Sequence, residues 1–128
     1  MAAMSNYLEN ALINATLRNT GYSSPATVYV ALFTTDPTDA GSGTEVSGGS
    51  YARQAATFAS PSNGAAATDA DVQFPQATGN WGTITHFGIY DALTTGNLLY
   101  HGQLTASKTI ETCDVFKIAT GNLTVTLA

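Results

Sequence analysis

The chain has 128 residues, 44% of them hydrophobic and only 10% charged, with four Lys and Arg against nine Asp and Glu and a formal net charge of −5. One packed domain is expected at that length, its surface wetted by Thr, Ser, Asn, Gln and Gly rather than by charge. Phosphate-neutralising contact with nucleic acid is excluded by the scarcity of basic groups, and an intrachain disulfide or Cys-built metal cluster by the single Cys113.

In chain order, the first predicted element is a helix over about 5–19, "SNYLENALINATLRN". Ser5 is its N-cap, Glu9 sits near the favourable end of the helix dipole, and Gly21 follows its end. Leu8, Ala11, Leu12 and Ala15 share one arc, while Ile13 and Leu17 lie on another. Two apolar sides leave two arrangements open: both buried in one core, or one covering the domain's own sheet and the other facing a neighbouring subunit. The start of the chain lacks the basic residues and continuous apolar core of a signal peptide, and no run reaches about 18 apolar residues. A soluble protein made in the cytoplasm, with no membrane partner, is expected.

Beyond Tyr22 the pattern is β. The segments "ATVYVALFT", "YARQAATFAS", "ADVQFP", "TITHFGIYD", "NLLYHGQL", "DVFKIA" and "NLTVTL" are short, rich in Thr, Val or aromatic residues, and separated by Gly, Pro, Asn or Asp. The fold class is therefore mainly β, a jelly-roll-like antiparallel β-sandwich over about 26–127 with one N-terminal α-helix, the whole chain 1–128 forming a single domain. Leu123, Val125 and Leu127 alternate with Thr124 and Thr126, and Asp91 to Asn97 turns the chain between Ile89 and Leu98. The stretches Gly41 to Ser50 and "SPSNGAAATDA" read as loops, the first belonging to a long loop over about 36–50.

No constellation of residues carries catalysis. Gly102 to Thr109, "GQLTASKT", is one residue short of a phosphate-binding loop and is followed by β-like sequence instead of the helix such a loop requires; a strand-to-strand turn is expected there. His86 and His101 flank the hairpin, but a turn centred near Thr94 puts them on opposite sheet faces, without a third zinc ligand beyond Cys113 or Asp91. The pairs Asp36 with Asp39 and Asp69 with Asp71 match turn chemistry better than a Ca²⁺ loop. Cys113, flanked by Glu111 and Asp114, lacks the electropositive setting that activates a thiol. No Gly-x-Ser-x-Gly elbow occurs. The expectation is a binding or structural protein that is not an enzyme and has no catalytic residues, cofactor or metal.

The blocks "VYVALFTTDPTDAGSGTEVSGGSYARQ" and "ADVQFPQATGNWGTITHFGIYDALTTGNLLYHGQLTASKTI" resemble a family of small virion proteins of tailed bacteriophages and prophages, often described as tail fibre proteins. The resemblance runs from the helix to "NLTVTL" and is most specific in "TEVSGGSYARQ" followed by "WGTITHFGIYDA". Related β-sandwich proteins of this size act as cement or decoration proteins. The resemblance thus implies a homo-oligomer, dimer or trimer, that binds the major capsid protein on the outside of the shell; the alternative is a tail fibre or receptor-binding component, with Trp81 and the tyrosines recognising glycan. On this view the loop Asp36 to Ser50 is an arm reaching up to about 25 Å to a neighbour. Candidate assembly contacts are Ile13 and Leu17 on the helix, Asp36, Asp39 and Glu45 in the arm, and Tyr51, Arg53 and Gln54 behind it. Arg53 is either an ion-pair partner for a neighbour's carboxylate or a side chain snorkelling from an exposed strand face. Trp81 is either a core plug or an interface anchor.

Overall fold

A computed structural model describes residues 2–127. Strand β1 (Ala2–Met4) leads into helix α1 (Asn6–Leu17), which is followed by β2 (Val28–Phe33), β3 (Gln54–Ala56), β4 (Ala65–Ala67), β5 (Val72–Gln73), β6 (Gly82–Tyr90), β7 (Leu98–Ile110), β8 (Lys117–Ile118) and β9 (Thr124–Thr126). The molecule is mainly β with one short helix, as the sequence pattern predicts. Five strands form one antiparallel sheet in the order β1-β7-β6-β2-β3, and two ribbons, β4-β9 and β5-β8, supply the facing layer. Val30, Leu32, Phe87 and Ile89 from the sheet pack there with Val72, Phe74, Phe116, Leu123 and Val125 from the ribbons and their flanks. The fold is sandwich-like, although its second layer is two separate ribbons.

Two strands carry no strand pattern in the sequence. Ala2–Met4 pairs with β7 at the sheet edge, and Ala65–Ala67, inside a stretch that reads as loop, pairs with β9. Alanine has little β-propensity, so both are β by pairing alone. The segment Gly102 to Thr109 is not a turn. It lies within β7, where the register passes from His86↔Gln103 to Ile84↔Lys108, leaving four β7 residues opposite Thr85. That wide bulge absorbs the polar run "TAS".

A second bulge decides where the histidines point. Tyr90 pairs with Leu98 but Ile89 pairs with Tyr100, so Leu99 is an extra residue in β7. One inserted residue exchanges the two faces of everything beyond it. His86 pairs with Gln103 and His101 with Gly88, which puts both histidines on the same face, opposite to the expectation from an unbulged hairpin. They have different partners: His86 Nδ1 meets the Thr85 hydroxyl at 2.8 Å, and His101 Nε2 meets Asp39 at 2.7 Å.

The helix docks through its cap. Ser5 is buried; its hydroxyl donates to the Leu98 carbonyl and accepts from the Leu8 N–H at 3.2 Å, while its own N–H donates to the Leu99 carbonyl. Of the apolar side facing the sheet, Leu8 is fully buried and Ala11, Leu12 and Ala15 partly so.

Candidate functional site

The long loop is the largest departure from the sequence-based expectation. Strand β3 pairs only with Val28 to Val30, leaving the second half of β2 unpaired at its outer edge. Buried Leu32 and Phe33 cannot leave backbone groups unsatisfied there. The loop supplies the partners: Val46 N–H donates to the Leu32 carbonyl, Thr34 N–H to the Thr44 carbonyl, and Phe33 forms a bridge with Glu45. At the other end of the loop, Pro37 is fully buried and approached so closely by Gly43 that a Cβ at that glycine would sit 2.6 Å from the Pro37 Cα. The segment Asp36 to Ser50 is therefore folded along its own sheet and is not an extended arm.

Glu45, Tyr51 and Arg53 form one network inside the chain. Arg53 grips Glu45 with both prongs, Nε to Oε2 at 2.9 Å and a terminal nitrogen to Oε1 at 2.9 Å. Its other terminal nitrogen donates to the Ala92 and Thr95 carbonyls at 3.0 and 2.8 Å, and the guanidinium lies 3.8 Å over the Tyr90 ring. Only 8% of Arg53 is exposed. Its carboxylate partner comes from its own chain and its stem does not snorkel, because a buried cation needs a partner within the same packed layer. Burial works most strongly against its charge, but the Glu45 hydrogen bonds, the Glu45 charge and the neighbouring Tyr90 and Tyr51 together outweigh it and hold its pKa above the usual arginine value.

Tyr51 completes the network. Its hydroxyl donates to Glu45 Oε2 at 2.7 Å and accepts from the Leu32 N–H at 3.0 Å. Its ring stacks on Phe74 and meets Trp81 edge-on. Burial, followed by the bond to Glu45, pushes the phenol far above its ordinary pKa. Gln54, by contrast, is a β3 residue whose side chain turns back to the Ala52 carbonyl at 2.9 Å and joins no cluster.

Trp81 is a core residue, 4% exposed, and its indole N–H donates to the Gly49 carbonyl at 2.9 Å. A Cβ on Gly49, whose φ is +58°, would fall 2.9 Å from that nitrogen, so glycine is required for the loop to close over the indole. With its ring and donor both committed, Trp81 is not available to glycan. Asp36 accepts the Thr38 N–H in an Asx turn, and Asp39 pairs with His101. Asp69 accepts from Thr57, and Asp71 from the N–H and hydroxyl of Thr120, contacts that lower the Asp71 pKa. Among the described residues no group of three or more His, Cys, Asp or Glu could hold a metal ion, and no helix is long and apolar enough to cross a membrane.

Ile13 and Leu17 stand apart from all of this. Both are exposed, Ile13 at 52% and Leu17 at 79%. The arrangement in which both apolar sides share one core is overturned: α1 has one buried side and one uncovered one.

The comparison with known families decides kinship. Residues 3–126 match the family model described as podophage GP4 fiber I protein gp80. The chain belongs to this family. No curated protein matches the chain. The family assignment makes the protein a tailed-phage structural protein of β-rich fold, and it covers both α1 and the loop-borne network.

What the sequence pattern did not single out is a polar cavity of about 390 Å³ on the outer face of the large sheet, over Arg53 and Tyr90. Its walls come from the first turn of α1, the Asp39 to Gly41 turn and the end of the β6–β7 hairpin. No motif marks it because its residues meet only through long-range contacts such as Arg53 to Thr95 and Asp39 to His101.

Proposed function

We propose that the protein is a non-enzymatic component of a phage fibre, working through contacts with copies of itself and with neighbouring virion proteins. The observation that carries this is the family match over residues 3–126, whose description is that of a podophage fibre protein. The packing is compatible with an assembling protomer. The apolar side chains of Ile13 and Leu17 lie exposed on one helix, and β1 and β3 are edge strands of the large sheet. The pairing of Glu45 with Arg53 inside the chain takes those two groups out of the candidate contact surface.

A second reading is a cement protein bound to the major capsid protein on the outside of the shell. It is favoured by the small, low-charge chain, which has no shaft repeat or fibrous period of the kind a fibre stem needs. It loses the reaching arm as its mechanism, since Asp36 to Ser50 is folded against β2.

The ratio of this chain to the major capsid protein, measured by quantitative mass spectrometry on purified virions and on heads that never acquired tails, separates the two. A few copies per virion and none on tailless heads are expected for a tail fibre. Hundreds of copies retained on tailless heads would overturn that reading in favour of cement.

A further inference from the structure

The cavity over Tyr90 is lined by groups that are ready to bind and that the internal network leaves unused. Tyr90 is only 8% exposed, and its hydroxyl has no hydrogen-bond partner among the described residues, where no buried side-chain polar atom lacks one. The hydroxyl is therefore one of the few atoms this residue leaves accessible, and Tyr90 lines the cavity. Asn6, exposed on the first turn of α1, adds an amide whose side chain is likewise unbonded, and Tyr7 adds a half-exposed aromatic ring. Asp39 uses one carboxylate oxygen for His101 and keeps the other. Asn97 uses its amide nitrogen for Asp91 and keeps its carbonyl oxygen.

Charge selects among ligands. Arg53, the cation in the cavity floor, is neutralised by Glu45 and directs two further N–H groups at carbonyls. The wall carries the Asp39 carboxylate, and Asp91 stands behind Asn97. An anion would meet carboxylates and no free cation. Two amides, a carboxylate oxygen, a phenol and an aromatic ring are instead donors, acceptors and an apolar face suited to vicinal hydroxyls and the C–H face of a pyranose. The volume of about 390 Å³ is in the usual range for small-molecule sites, about 300–1,000 Å³.

We propose that this cavity is a binding site for a neutral saccharide, with Tyr7 stacking on the ring and Asn6, Asp39, Tyr90 and Asn97 pairing with its hydroxyls. The site stands on the cavity's own chemistry and is independent of whether the protein sits on the fibre or the shell. The test is amide-shift titration of the whole isotope-labelled protein with glucose, galactose, mannose, N-acetylglucosamine and their β-linked disaccharides. Saturable shifts confined to the Asn6, Gly41, Gly96 and Asn97 region are expected with at least one of them. N6A and Y7A, both at exposed helix positions and hence folded, are expected to weaken that binding by about tenfold or more. The proposal is overturned if no neutral sugar gives saturable shifts, if the shifts map elsewhere, if N6A and Y7A bind like the parent, or if glucuronate or sialic acid binds more tightly than the neutral sugars. A failed titration with a fibre-like copy number would remove this site and leave the fibre reading intact.

Discussion

The segment from Glu45 to Arg53 and the outer side of α1 invert what composition leads one to expect. The first carries a charged network whose centre, Arg53, is buried and hydrogen-bonded at each guanidinium nitrogen; the second is apolar, yet it is exposed. In a chain with four basic groups, a charge is conspicuous in the sequence and invites assignment to an interface. Arg53 is instead a structural strut, joining the loop to the Ala92 to Thr95 turn and to Tyr90. A bidentate pair with extra carbonyl acceptors can hold two segments in register, and Arg53 is the one charged side chain that the described fold buries for that purpose.

The most drastic way to break this contrast is to excise Asp36 to Ser50 and join the ends with a short glycine linker. An arm would be dispensable for folding. A loop that supplies Glu45, buried Val46 and the hydrogen bonds to Leu32 and Thr34 is not, and the excised chain is expected to lose its cooperative thermal transition. A variant that melts like the parent would show the loop to be an appendage after all.

Next in size is Arg53→Met, which keeps the stem but strands the Glu45 carboxylate and the Ala92 and Thr95 carbonyls. Removing one member of a buried pair costs about 3–5 kcal/mol. The double variant E45Q/R53M is expected to recover part of that in urea unfolding, because it removes the orphaned charge. Equal loss in single and double variants would mean that the pair is not coupled.

Tyr51→Phe is smaller, about 1–3 kcal/mol, from an unsatisfied Leu32 N–H and a lost donor to Glu45. It also has a pH signature. The phenol's folded pKa is raised, so its contribution is complete below the ordinary tyrosine value of about 10 and is lost as pH rises above that value. Wild-type stability should fall in this alkaline window, and the fall should be shallower in Y51F. Tyr90 and Tyr100, whose pKa values are also raised by burial, leave a residual slope. Identical slopes for both proteins would refute the assignment to Tyr51.

How far the sequence reveals this molecule depends on whether a feature is local. The Ser5 cap, the strand alternation from Leu123 to Thr126 and the Asp91 to Asn97 turn are each determined within a few residues and are legible, whereas Leu127, one step further, is exposed. The extra residue Leu99 is not: a bulge has no composition of its own, and it alone moves His86 and His101 onto one face. The loop is misread for a related reason. Gly, Ser and Thr indicate that a segment has no intrinsic preference for helix or strand, but whether it projects or folds back depends on unpaired backbone at the edge of β2, which no residue in the loop reports. The cavity is invisible on the same ground, since Asn6, Asp39, Tyr90 and Asn97 come from four separate parts of the chain.

The smallest expected effect on the monomer tests the other half of the comparison. Ile13 and Leu17 are both exposed, so I13D and L17D are expected to change the chain's stability by no more than about 0.5 kcal/mol, the usual range for exposed positions. Any large effect must then arise between chains. If the outer side of α1 is an assembly surface, a central apolar anchor replaced by a carboxylate would be desolvated without a partner, and sedimentation should show a shift toward monomer. The same substitutions on a chain that is already monomeric would leave sedimentation unchanged, and the contacts would have to be sought at the β1 and β3 edges instead. A large loss of monomer stability would mean instead that these side chains are covered within the fold and that the contrast between the two regions is wrong.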